Sequence, residues 1–276
     1  MSPLACIRQG RRDGTTVLLL HGIGGGKSIW GDGASGTVQA LAGAGFDAVA
    51  LDLPGYGESP TPAALTLATM VDAVEAFVHS LGARQTVLVG HSMGGMLAQE
   101  LVWRAPALVQ GLVLACTSAS FGKAGAAWQA SFLTSRLAPL DAGLGMAGLA
   151  DALVPGLVSP SAAPAARAVA KAVMGAVAEA TYRAALQAIA GFDRREALAS
   201  IKVPTLCLAA EDDTTAPPEV MQRMAARIPG AQWVCLANAG HIANLEQPAA
   251  FNAALLAFLN ASFTLDGTAQ QSRAPV

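Results

Sequence analysis

Charge is scarce in this chain. Asp, Glu, Lys and Arg together make up 13% of its 276 residues and leave a formal net charge of -2, which gives no electrostatic reason to expect a nucleic acid or an anionic membrane as partner. Long apolar runs are missing as well: no stretch reaches the roughly 18 uninterrupted apolar residues of a membrane span. Residues 1–13 hold arginines but not the apolar centre of a secretory leader, so the expected location is the cytoplasm. The four cysteines, Cys6, Cys116, Cys207 and Cys235, lack metal-type spacing, and the last three fall in apolar runs and read as buried thiols. No metal and no other cofactor is expected. Internal repeats are absent too.

Apolar residues, by contrast, are plentiful. At 53% of the chain and a mean hydropathy of +0.44, they suffice for one large core without staples. Short β-rich apolar runs at 17–21, 47–51, 86–90, 111–115, 205–210 and 232–236 alternate with amphipathic stretches at 36–44, 67–81, 92–103, 219–227 and 248–259. That rhythm predicts a doubly wound α/β fold, a mostly parallel sheet flanked by helices. One segment, 121–195, is helical in pattern and holds no convincing strand. It reads as an inserted helical cap of the kind that forms lids, between core segments 1–120 and 196–262, with 263–276 a polar, flexible tail.

The chemistry centres on Gly90-His91-Ser92-Met93-Gly94, set between an apolar strand and an amphipathic helix. A serine there sits on a sharp turn that needs tiny neighbours, and the helix N-terminus favours developing negative charge. Serine is a poor nucleophile unless a base takes its proton. Of the four histidines, His21 belongs to a strand-end turn, His79 to a helix, and His91 is expected on the other side of its strand. His241, in a loop between the last strand and a helix opened by Pro248, remains as the base. The acid that fixes its tautomer is sought after strand 205–210, where Asp213 begins a turn toward Pro217-Pro218. Asp212 stays open as the alternative. No acid follows Ala115, where Cys116-Thr117-Ser118 stands. An oxyanion needs preformed donors, for which the backbone N–H groups of Met93 and of Ile23, in the turn His21-Gly22-Ile23-Gly24-Gly25-Gly26, are suited. The same glycine run lacks the Gly-Lys-Ser/Thr ending of a phosphate loop.

These residues, with Asp52-Leu53-Pro54-Gly55-Tyr56-Gly57-Glu58-Ser59 and Gly240-His241 in the same order, resemble the α/β-hydrolase family over about 17–260. Within that family the chain is most similar to bacterial enol-lactonases of the beta-ketoadipate type, in Met93-Gly94-Gly95-Met96, Leu149-Ala150-Asp151-Ala152-Leu153 and His241-Ile242-Ala243-Asn244-Leu245-Glu246-Gln247-Pro248. The resemblance implies a Ser92, His241, Asp213 triad with Ile23 and Met93 as oxyanion donors. It also implies a lactone or small ester substrate approached under the cap. The hairpin that usually begins the fold looks shortened, with only sixteen residues before Val17. A substrate carboxylate would need a cation, but Gln129, Ala130 and Ser131 follow Trp128 where such lactonases would have an arginine, leaving Arg136 and Lys123 as substitutes. The cap is mostly apolar, and Trp128, Phe132, Leu137, Met146 and Leu153 are the expected pocket lining, with Leu133, Leu140, Leu149 and Met174 as further candidates. The expected function is acyl-enzyme hydrolysis of a small, largely apolar ester or lactone. Two alternatives stand beside it: carbon-carbon bond hydrolysis in aromatic catabolism, and ligand sensing with little turnover. An aspartate would occupy the place of Ser92 in a dehalogenase or epoxide hydrolase. Homo-oligomerisation is left open.

Overall fold

The computed structural model describes residues 3–31, 33–122 and 127–263. Among them, seven strands form one sheet: β1 (Cys6–Gln9), β2 (Thr16–Leu20), β3 (Asp47–Leu51), β4 (Thr86–His91), β5 (Gly111–Ala115), β6 (Thr205–Ala210) and β7 (Gln232–Leu236), in the order β1-β3-β2-β4-β5-β6-β7. All neighbours run parallel except β1, which lies antiparallel on β3 with Cys6 opposite Leu51. Strands β2 to β6 are buried along their whole length. Helices cover both faces of a parallel sheet, so these strands read as continuous apolar runs, and each buried leucine of β2 contributes roughly 2 kcal/mol.

The antiparallel element expected to be short is this single strand β1. None of its four residues is fully buried, as expected of an edge, and Arg8 ties it to β3 through a two-pronged ion pair with buried Asp47 at 2.7 and 2.9 Å.

Helices α1 (Thr37–Gly43) and α10 (Pro248–Ser262) pack against each other, as do α2 (Leu67–Leu81) and α3 (Met93–Arg104); α8 (Pro218–Ala225) lies on β6. Helix α2 starts with a reciprocal cap in which Thr66 and Thr69 each hold the other's backbone N–H. Between β5 and β6 the chain leaves the sheet to form α4 (Ala127–Asp141), α5 (Gly145–Leu157), α6 (Pro164–Gly175) and α7 (Glu179–Ile189). The neck of this helical insertion is closed by an antiparallel bridge between Ser120 and Asp193 and by the Arg194 N–H donating to the Ala119 carbonyl at 2.7 Å. After α10, Phe263 is buried against Phe258; the rest of the tail expected at 263–276 lies outside the described residues. Among the described residues no helix is long and apolar enough to cross a membrane.

Candidate active site

Parallel strands end together at one edge, and the residues that follow β2, β4, β6 and β7 meet there. Ser92 follows β4 at φ 52 and ψ -118, a region that costs a non-glycine residue about 1–3 kcal/mol and persists only where its surroundings enforce it. Here they do: the Ser92 N–H donates to the Ala115 carbonyl at 3.0 Å, and the Ser92 carbonyl accepts from the Thr117 hydroxyl at 2.7 Å. The turn also depends on close approach. A Cβ on Gly94 would stand 2.7 Å from the Leu20 carbonyl carbon and 2.8 Å from the His21 oxygen, and backbone at the end of a central strand cannot yield. Gly94→Ala is therefore expected to destabilise the fold by roughly 1–3 kcal/mol, read as a lower midpoint in denaturant; an unchanged midpoint would show that β2 and α3 can separate.

The structure brings Ser92, His241 and Asp213 into one hydrogen-bonded chain. Ser92 Oγ lies 2.9 Å from His241 Nε2, and His241 Nδ1 lies 2.8 Å from Asp213 Oδ2. With the hydroxyl donating to Nε2, Nδ1 carries the proton and donates to the carboxylate, the tautomer in which Nε2 is free to act as base. The other Asp213 oxygen accepts the N–H groups of Thr215 at 2.8 Å and Ala216 at 2.9 Å, the turn geometry expected of an aspartate at that position. Burial opposes ionisation of Asp213, but the adjacent His241 and the two N–H groups outweigh it and hold the carboxyl below its ordinary value. Asp212 is exposed and turns away to accept from the Ser159 hydroxyl at 2.6 Å.

His91 departs from expectation. Its ring stands 5.1 Å from that of His241, and its Nε2–H donates to the His241 carbonyl at 2.7 Å. Alternation along a strand places it on the far side only if the strand continues, and the strained turn at Ser92 ends it. Burial drives His91 down to about 3, so it is a neutral support and not a base. His21, pushed down to about 4 by burial, is likewise neutral; its Nδ1–H donates to the Gly22 carbonyl at 2.8 Å and its Nε2 accepts the Leu53 N–H at 3.0 Å. This fixes the turn that carries Ile23. Gly22 lets that turn reach the serine, since a Cβ there would lie 3.1 Å from Ser92 Cβ. Ile23 thus sits beside Ser92, and Met93 opens α3 directly after it. These positions suit two N–H donors aimed at an oxyanion.

Above Ser92 and His241 opens a cavity between the sheet edge and the insertion, walled by Ile23, Met96, Phe121, Met174, Leu186 and Ile189 among others. Of the five predicted lining residues, Trp128, Phe132 and Leu153 line it; Leu137 and Met146 do not. Met146 is buried and Leu137 half-buried, packed among the insertion's helices and the core, because an apolar helical face is equally served by neighbouring helices. Leu133, Leu140 and Leu149 are also absent from the walls. Arg136 is the single formally charged side chain among the described lining residues, stacked with its guanidinium carbon 3.4 Å from the centre of the Phe132 ring, where burial lowers its affinity for the proton. Lys123 lies outside the described residues. Thr117, Ser159 and Glu246 support the site through hydrogen bonds that no sequence motif announces.

The comparisons with known proteins agree with this architecture. The sequence model of the Alpha/beta hydrolase family matches residues 17–254. The Variovorax paradoxus (strain S110) protein named "Putative carbamate hydrolase RutD" is 34% identical over 264 residues, covering 93% of this chain and 96% of its own. Among solved structures, the enol-lactonase from Burkholderia xenovorans LB400 superimposes with a TM-score of 0.82 at 26% identity, covering 93% of this chain and 96% of that one. A thermophilic esterase from Thermogutta terrifontis gives 0.82 at 28% identity, covering 94% and 93%. With its family matched over most of its length and its sheet order, elbow and insertion in place, the chain belongs to the α/β-hydrolase family.

Proposed function

We propose that this protein hydrolyses a carboxylic ester or lactone through a covalent acyl-enzyme on Ser92. The observation that carries the reading is the Ser92-His241-Asp213 hydrogen-bond chain at the floor of a mostly apolar cavity. Ser92 Oγ attacks the carbonyl carbon as His241 Nε2 takes its proton, and Asp213 stabilises the imidazolium that results. The tetrahedral oxyanion is met by the N–H groups of Ile23 and Met93, each such donor being worth about 10²- to 10³-fold in rate. His241 then protonates the leaving oxygen. A water, deprotonated by the same imidazole, attacks the acyl-enzyme and releases the acid and a restored serine. Each proton passes through His241 Nε2: from Ser92 to the leaving oxygen, then from the attacking water back to Ser92 Oγ.

The walls favour a small, largely apolar substrate held under the insertion as a cap. Rapid multiple turnover of short-chain nitrophenyl esters and of lactones is the expected result. The panel should include a carbamate, in view of the RutD relative, and a vinylogous diketone. Turnover of either of those with esters and lactones inert would overturn the substrate class, and a single burst without turnover would favour ligand sensing. Because Arg136 walls the cavity without touching the triad, Arg136→Leu is expected to change kcat/KM on a neutral ester by less than about 3-fold. A larger loss on that neutral ester would give the guanidinium a part in the chemistry.

A further inference from the structure

We infer that Glu246 is a positioning residue for the catalytic base, one carboxylate that fastens the His241 loop to the helical insertion; the inference rests on the hydrolase reading above. Glu246 ends the short helix α9 (Ala243–Glu246) and is buried, 8% exposed. Its Oε2 accepts the N–H of Gly240 at 2.9 Å and that of Ser159, just beyond α5, at 2.7 Å. Its Oε1 accepts the N–H of Ile242 at 3.1 Å. The N–H between them, that of His241, donates to the Leu157 carbonyl at the end of α5 at 2.7 Å.

Three consecutive N–H groups of the histidine loop are therefore held by one ionised side chain and one carbonyl of the insertion. On the opposite side the His241 carbonyl is held by His91. The contact is close: a Cβ on Gly240 would stand 2.6 Å from Ser159 N. Hydrogen bonds to an ionised acceptor are the strong ones, and all three that Glu246 accepts come from backbone. The carboxylate therefore fixes main chain on both sides of the imidazole. Leu157, Ile242 and Leu245 of the same junction also line the cavity, so the wall and the base share one anchor. Chemistry at Ser92 accordingly requires the α5 end of the insertion to be seated.

The test is Glu246→Gln. An amide offers one oxygen and turns an NH2 toward at least one of the three donors, so the loop must shift. A displacement of about 1 Å at the reacting atoms costs on the order of 10²-fold. The expected result is a fall in kcat of about 10- to 100-fold with KM within about 3-fold, together with displacement of the downfield proton NMR signal of His241 Nδ1–H, measured on protein shown to be folded at the assay temperature. A purely structural role would lower the melting midpoint and leave both readouts unmoved, and that outcome overturns the inference. If Glu246→Gln does not fold, Glu246→Asp carries the test: it keeps the charge but is one methylene short. Reduced kcat with a displaced signal supports the assignment, and wild-type values of both overturn it. Ser92→Ala separates the two readings. If it is inactive while folded Glu246→Gln has full kcat, only the positioning role falls; if it keeps its rate, the hydrolase reading itself falls.

Discussion

Ser92→Ala is expected to lower kcat on an activated ester by roughly 10⁴-fold or more, leaving only what the oxyanion donors and the cavity supply. The fold should not suffer. Ser92 Oγ makes its hydrogen bond to His241, whereas the turn itself is pinned through the Ser92 backbone by Ala115 and Thr117. An alanine keeps those backbone bonds and the positive φ that the surroundings impose. Loss of rate without loss of stability, measured by steady-state kinetics beside a melting curve, is thus the signature of a nucleophile. A variant that melts early as well as losing activity would leave the hydroxyl with a structural part that the geometry does not give it.

The second large effect separates two adjacent aspartates. In Asp213→Asn the oxygen that accepts the Thr215 and Ala216 N–H groups must remain an oxygen, so the new NH2 faces His241 Nδ1. The imidazole then has to accept there and carry its proton on Nε2, where it cannot take one from Ser92. The comparable change in a serine protease costs about 10⁴-fold, and a loss of roughly 10³- to 10⁴-fold is expected here. Asp212→Asn should change kcat by less than about 2-fold, since its contact is with the Ser159 hydroxyl and an amide oxygen still accepts it. Parallel kcat measurements decide the matter. Equal losses in the two variants would mean that the acid is not the residue bonded to Nδ1.

Much of this arrangement was readable in the sequence because it depends on local patterns. Central strands buried on both faces must be apolar throughout, which is why the runs at 47–51, 111–115 and 205–210 coincide with β3, β5 and β6; the run at 232–236 coincides with β7, an edge strand that is only partly buried. The elbow announces itself through glycines that have no room for a side chain, and His241 emerges once the other histidines are placed. What escaped depends on distant partners. Strand β1, an edge strand whose Arg8 finds its partner 39 residues away in Asp47, has too little apolar character to stand out. His91 was misplaced because strand alternation fails where the backbone reverses. Met146 shares one face of α5 with Leu153 at i, i+7, while Leu137 lies five residues from Phe132, about 140° around α4; periodicity identifies an apolar face without saying whether helix or cavity lies against it. Glu246 accepts only backbone N–H groups, one of them 87 residues away at Ser159, and no spacing rule links those two positions.

Hydrolysis by the proposed route requires the Ser92 hydroxyl oxygen to bond to the substrate's carbonyl carbon. The most direct measurement is to react the protein with an activated organophosphonate ester until hydrolysis of a nitrophenyl ester stops, then locate the adduct by peptide mass spectrometry. One adduct per chain is expected, on Ser92, forming in step with the loss of activity and failing to form at a comparable rate in His241→Ala. Full inactivation with the adduct on another residue, or an adduct on Ser92 with hydrolysis undiminished, would contradict it.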